Sequence, residues 1–278
     1  MNLHAREGNG SLVLKFETVS LPGYATPAQK LFIIVAFKSF PMGLWGSLVI
    51  LRGSGPRDPG SNPGSPILML NQIKEELANG ADKEKAKLLA GFFKTGKGQY
   101  GEGDIFLGLT VPEQRAIAKK YTNLSIKDIE RLLHSKIHEH RLTALIIWTY
   151  QFEKADENTK EKIYKAYLKN TRWINNWDLV DVTTPRIVGM YLLDKDRKIL
   201  YRLAKSKSLW EKRIAMLATL TFICKRKESK DALKIAEILL KDRHDLIHKA
   251  VGWMLREVGK RVSQKDEEIF LKKHYRYM

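Results

Sequence analysis

Cysteine is almost missing from this chain: Cys224 alone stands in 278 residues. That excludes an internal disulfide and any multi-cysteine zinc site, and it suits a reducing cytosol. On an apolar helix this residue reads as a small buried hydrophobe. Acidic residues are the minority, 31 against 49 Lys and Arg, which leaves a net charge of +18 and a pI near 9.8. Glycine and proline, at 19 and 9, are too sparse for a disordered chain. Strict alternation of apolar and polar residues is absent, and with it the signature of half-buried strands. The segment Leu31 to Leu51 is long enough to span a membrane, but Lys38 lies inside it and Pro41 and Gly43 interrupt it. A central lysine alone costs about 2.5 to 3.5 kcal/mol on insertion scales. A basic stretch followed by a small-residue cleavage site is also missing at the start, so a secretory signal is not expected and a cytoplasmic location is.

What is present is positive charge, and it is unevenly placed. Residues 1 to 66 carry only +3 of the +18, so the charge belongs to the downstream body and points to a polyanionic partner, nucleic acid first. Leu51 to Pro66 is rich in Gly, Pro and Ser and nearly devoid of apolar side chains. Such a stretch cannot bury enough surface to offset its ordering entropy, and it reads as a linker. The expected division is therefore a non-native or disordered extension over 1–66 and a folded domain over 67–278, with Met69 as the functional start. A membrane tether and an ordered accessory element are the alternatives for the upstream segment.

From Ile67 onward the pattern is helix after helix. Asn71 to Ala78, Lys83 to Phe93, Val111 to Lys120, Ile126 to Leu133, Glu139 to Phe152, Glu157 to Leu168, Leu209 to Lys225, Lys230 to Leu240, Asp245 to Gly259 and Gln264 to Lys273 all place apolar residues three and four apart. Thr110-Val111-Pro112-Glu113 is a capping box with proline in the first turn, and Ser125-Ile126-Lys127-Asp128 is a weaker relative. Arg141, Trp177, Arg213 and Lys249 recur at intervals of 36 residues, each opening a helical stretch. A period of that length with two helices per unit predicts a stacked, all-α superhelix with one continuous, concave, basic face.

Within that frame Trp177-Asp178-Leu179-Val180-Asp181 stands out. Trp177 and Asp181 are one helical turn apart, which puts an indole and a carboxylate together on a surface otherwise suited to neutralising phosphates. Asp178 points about 100° away from Trp177 per residue of helix and reads as a helix-start or inter-repeat hydrogen-bonding group. Trp148, Trp173 and Trp210 read as packing residues, and Arg186 reads equally as a phosphate contact or an exposed charge. His134, His138, His140, His244 and His248 lack an HExxH arrangement or cysteine partners, so they read as solvated rather than metal-binding. Gly96 to Asp104 is glycine-rich but lacks the GK[ST] ending of a P-loop, which leaves a shaped loop.

These blocks resemble a known family. Phe106-Leu107-Gly108 leading into Val111-Pro112-Glu113-Gln114-Arg115, then Trp177 to Asp181, Trp210-Glu211-Lys212-Arg213 and Lys249 to Glu257 are similar, in order and spacing, to the DNA alkylation repair enzymes of the AlkD type. The resemblance runs from about Met69 to His274. It implies a HEAT-like fold and a DNA glycosylase that removes cationic alkylpurines such as 7-methylguanine and 3-methyladenine from double-stranded DNA. It also implies that the base is not flipped into a pocket, that no cofactor or metal is used, and that the protein acts as a monomer. Residue by residue, it implies catalytic roles for Trp177, Asp181 and Trp253 and places Arg213 and Arg256 in the DNA-facing cleft. Tyr100 matches an aromatic near the lesion when the loop is shifted by one residue.

The residue types suit that chemistry. An alkylated purine is already a cationic leaving group, so the burden falls on the sugar, where a fixed carboxylate stabilises developing positive charge. Asp181 can do this when ionised, and surrounding Arg and Lys favour ionisation. Trp177 and Trp253 offer π faces worth about 0.5 to 2 kcal/mol each. Arg213 and Arg256 are expected on flanking phosphates, and Arg115 on another at a helix start. The alternative from a different class is a non-catalytic solenoid that binds nucleic acid or a protein through the same groove.

Overall fold

The structure, a computed structural model, describes residues 66–277. The linker and the apolar run expected upstream lie outside the described residues. The chain divides between Arg57 and Asp58 into two units, and the described residues all belong to the second.

The fold is all-α. Among the described residues twelve α-helices follow in order: α1 Pro66–Asn79, α2 Lys83–Phe92, α3 Val111–Ala118, α4 Ile126–Leu133, α5 His138–Lys154, α6 Glu157–Lys169, α7 Trp177–Thr184, α8 Lys198–Ala204, α9 Leu209–Arg226, α10 Lys230–Leu239, α11 Asp245–Arg261 and α12 Gln264–His274. Among the described residues the one β-type pairing is an isolated parallel bridge between Ile105 and Ile137. Local signals set most of the starts. Ser125, Asp156, Ser208 and Ser263 accept a backbone N–H from the third residue along, and the Glu113 carboxylate takes both the N–H and the hydroxyl of Thr110 at 2.7 Å. Helix α8 has no side-chain cap and only seven residues, so the sequence pattern passes over it.

Helices α5, α7, α9 and α11 pack in succession, while α4 and α6 pack on α5, α8 and α10 on α9, and α10 and α12 on α11. This is the stacked-pair architecture that the periodicity predicts. Thirteen of the seventeen residues of α5 are buried, among them Trp148, Leu145 and Ile146, because a helix with neighbours on several sides needs no polar face. Tyr167 lies wholly inside, its hydroxyl between those of Thr183 and Thr184 at 3.0 and 2.8 Å. Trp148 and Trp210 are core residues as expected, and Trp173 stacks on His134.

The spacing of 36 does not hold at the level of helix starts. The inner helices begin at His138, Trp177, Leu209 and Asp245, so Trp177 is the first residue of α7, whereas Arg213 and Lys249 are the fifth of theirs. The structural counterpart of Arg213 on α7 is Asp181. Those starts are 39, 32 and 36 residues apart, so the shift enters in the connection that precedes α7. At the far end of α7, Pro185 has no N–H to continue the ladder and the chain widens into a π-helical turn over Pro185–Gly189. The Thr221 hydroxyl donates to the Pro185 carbonyl at 2.6 Å, and a β-carbon at Gly189 would stand 2.3 Å from that hydroxyl oxygen. Only glycine permits this approach of the turn to α9.

Candidate active site

The N-terminal ends of the inner helices are knit together by buried charge, and the packing of α7 on α9 brings Asp181 and Arg213 face to face. Arg213 donates from Nε to Asp181 Oδ1 at 2.8 Å and from Nη2 to Oδ2 at 2.6 Å, a bidentate fork. Its third nitrogen, Nη1, donates to the Leu246 carbonyl at the start of α11 at 2.5 Å. Arg213 is 5% exposed, so its guanidinium is committed inside the protein rather than presented to a phosphate. Burial pushes the Asp181 carboxyl above its ordinary value, and the Arg213 fork opposes that shift. The carboxylate is thus held in a fixed orientation with 16% of its side chain open.

Trp177 begins α7, and its backbone N–H is capped by Asn176 Oδ1 at 2.8 Å. Its indole stacks on Phe93 at 5.1 Å and 19°, while Phe93 stacks in turn on Phe106 at 5.1 Å and 17°. Phe92 meets Trp177 edge-on at 5.8 Å and remains 47% exposed. The glycine-rich loop brings Tyr100 to the same edge, where the phenol lies in reach of the Trp177 indole and its ring meets Trp210 at 5.9 Å and His244 at 6.5 Å. Burial raises the Tyr100 pKa, so the phenol is neutral and available as a donor.

That loop is anchored, not loose. Glu139 accepts the N–H groups of Leu107 and Gly108 at 2.9 and 2.8 Å, and Arg141 Nη2 donates to Asp104 Oδ2 at 2.6 Å. Gly108 takes a positive φ of 97°, and a β-carbon there would stand 2.3 Å from the Asp82 carbonyl. His138 and His140 are buried, against the expectation of solvated histidines. An interior helix has no solvent face to give them, and each finds a local partner: Asp104 and Asp178 for His138, Ser135 for His140. His134 bonds Asn170, and His248 is exposed. Among the described residues no three His, Cys, Asp or Glu side chains converge as metal ligands. Asp178 is buried, bonded to His138 Nε2 at 2.8 Å and to the Leu179 N–H at 2.8 Å.

The remaining expected residues are more dispersed. Trp253 is half-buried on α11, and Arg256, one turn on, is exposed with no ion pair among the described residues. Arg115 lies on α3, and its charge acts on Arg186, whose pKa is lowered by burial and then by Arg115. Sequence reasoning missed the ring cluster at Trp177, in which Phe93 and Phe106 stack and Phe92 stands edge-on. The available signal was the Phe92-Phe93 pair at the end of α2, a helix with no buried residue of its own.

Fold and site define a helical-repeat protein with an anchored carboxylate, an aromatic edge and an excess of positive charge. The DNA alkylation repair enzyme family matches over residues 73–278, and the chain belongs to that family. It is therefore an enzyme of DNA repair with DNA as its substrate. Among solved structures it is similar to a predicted DNA alkylation repair enzyme from Enterococcus faecalis at 17% identity, with a TM-score of 0.54 over 69% of this chain and 89% of that one. At that identity the likeness bears on the fold. No curated protein matches the chain. Among the described residues no helix is long and apolar enough to cross a membrane.

Proposed function

We propose that the protein is a monomeric DNA glycosylase that hydrolyses the N-glycosidic bond of cationic alkylpurines in duplex DNA and leaves an abasic site. The observation that carries this reading is the Asp181 carboxylate, oriented by the Arg213 fork one turn from the Trp177 indole. A cationic purine departs with the electrons of the C1′–N bond, positive charge develops on the sugar, and water adds to C1′ while losing a proton. Asp181 stabilises that charge and orients the water, and a preorganised group of this kind contributes about 10² to 10³ in rate. Trp177, Trp253 and Tyr100 face the sugar and base with π surface, and Phe92 extends that surface. Arg256 and Arg115 contact phosphates, whereas Arg213 acts through Asp181. The exposed ring of Phe92 beside Trp177 forms an open aromatic edge, which supports excision without base flipping. The working domain is residues 67–278, and the reaction needs no metal or organic cofactor.

Incubation with methylated duplex DNA tests the proposal directly. Released 7-methylguanine or 3-methyladenine together with heat-labile abasic sites is the expected result. Duplex affinity without any released base would identify a non-catalytic nucleic-acid-binding solenoid instead.

A further inference from the structure

His138 is 2% exposed and has a carboxylate oxygen at each ring nitrogen: Asp104 Oδ2 3.3 Å from Nδ1 and Asp178 Oδ2 2.8 Å from Nε2. A neutral imidazole carries one N–H and can satisfy only one of these acceptors, whereas an imidazolium satisfies both. Charge balance agrees. The buried groups facing the ring are Asp104 from the loop, Asp178 from α7 and Arg141 from its own helix. Two carboxylates and one guanidinium need a second cation, because an uncompensated charge in the interior is costly. Glu139, the next residue, does not alter this balance, since its carboxylate is turned to the N–H groups of Leu107 and Gly108. The ring faces are also occupied: Phe106 stacks at 4.5 Å and 20°, and Phe93, which carries Trp177 on its other contacts, lies at 5.0 Å.

The two carboxylates belong to different parts of the site. Asp104 ends the loop that carries Tyr100, and Asp178 follows Trp177 directly and precedes Asp181 by three residues. We propose that His138, as an imidazolium, is a positioning residue that braces the Tyr100 loop against the helix carrying Trp177 and Asp181. This rests on the glycosylase reading for its catalytic consequence but not for its structural one. Burial disfavours the charged ring, but Asp178 and then Asp104 outweigh it, and the pKa is raised to about 9. The brace is therefore complete at neutral pH and is lost as pH rises through that value.

The test uses the full chain and its His138→Gln variant, in which an amide can still reach Asp178 but carries no charge. In wild type, NMR should show the His138 ring protonated at neutral pH, and the indole N–H signal of Trp177 should shift with the same midpoint near 9 as the ring. The variant should keep its affinity for unmodified duplex while single-turnover release of alkylpurine falls by about ten- to a hundredfold, since a misplacement of reacting groups by about 1 Å costs up to about 10²-fold. Its Trp177 signal should show no step near pH 9. A ring that is neutral at pH 7, or a Trp177 signal that ignores the ring's titration, would overturn the brace even if the variant failed to fold. So would a variant with the wild-type rate and the wild-type pH step. If wild type itself released no base, the glycosylase reading would fall, and the two NMR signals would still decide the brace.

Discussion

Asp181 and Arg213 are a buried pair, so their substitution has two separable effects. Asp181→Asn keeps one acceptor for the guanidinium but leaves its charge unopposed, and breaking a buried pair from one side costs about 3 to 5 kcal/mol. The variant should melt below wild type and, at a temperature where it is folded, excise about 10² to 10³ more slowly. Calorimetry and single-turnover release measure the two effects independently, and wild-type excision by a folded Asn variant would remove Asp181 from the mechanism. His140 gives a further residue-scale expectation. Burial first, then Lys74 and Arg141, lowers its pKa to about 4. A depressed folded value means that stability is intact above the ordinary value near 6.5 and is lost as pH falls toward 4. Thermal melts of His140→Gln should be flatter than wild type over that acid window. An identical pH dependence in the two proteins would show that His140 is not the titrating group.

The Tyr100 loop shows how an element is held by a few groups. Glu139 accepts two backbone N–H groups at its base, at 2.9 and 2.8 Å. In Glu139→Gln the amide oxygen can serve one of them, but the amide nitrogen then faces the other, donor against donor. Leaving one buried donor unmet costs about 1 to 3 kcal/mol. Hydrogen exchange should therefore quicken at Leu107 and Gly108 before it changes in α9 or α11, whose cores do not depend on this contact. Uniform acceleration through all the helices would mean that the carboxylate supports the whole fold and not the loop.

For the whole molecule the decisive quantity is charge. With +18 in total and +15 of it downstream of residue 66, log affinity for duplex DNA should fall linearly with log salt at a slope of about −0.9 per contacted phosphate. Arg256→Ala should make that slope shallower by about one contact. Arg213→Ala should leave it nearly unchanged, because that guanidinium is turned inward onto Asp181 and Leu246. Equal slope changes in both variants would place Arg213 on the DNA after all. The domain proposal is tested at the same scale. Because α1 begins at Pro66, a chain starting at Ser65 retains the whole helix, whereas one starting at Met69 loses its first turn. The former should match the full chain in melting temperature and excision. Lower stability in the chain starting at Ser65 would show that residues upstream of it support the helical body.

The helices were legible in the sequence because burial of an apolar stripe at period 3.6 and a side-chain cap are local requirements. Ser125, Asp156 and Thr110 with Glu113 mark their helices without reference to anything distant. Trp177 and Asp181 were legible as a pair for the same reason, since four residues on a helix is a fixed offset. By itself the sequence also determined the charge and the family blocks, and with them the kind of partner. It did not determine what Arg213 does, because an arginine reads the same whether it meets a phosphate or a carboxylate 32 residues earlier in the chain. Nor could it reveal that His138 is interior: α5 looks polar at its start, and only packing by α7 and the Gly96–Asp104 loop removes water from that turn. Nor could it show that the chain leaves α7 through a widened turn at Pro185, which Thr221 on another helix stabilises. Those choices depend on which surfaces meet after the helices have formed, and desolvation and charge pairing across such surfaces exist only in the tertiary structure.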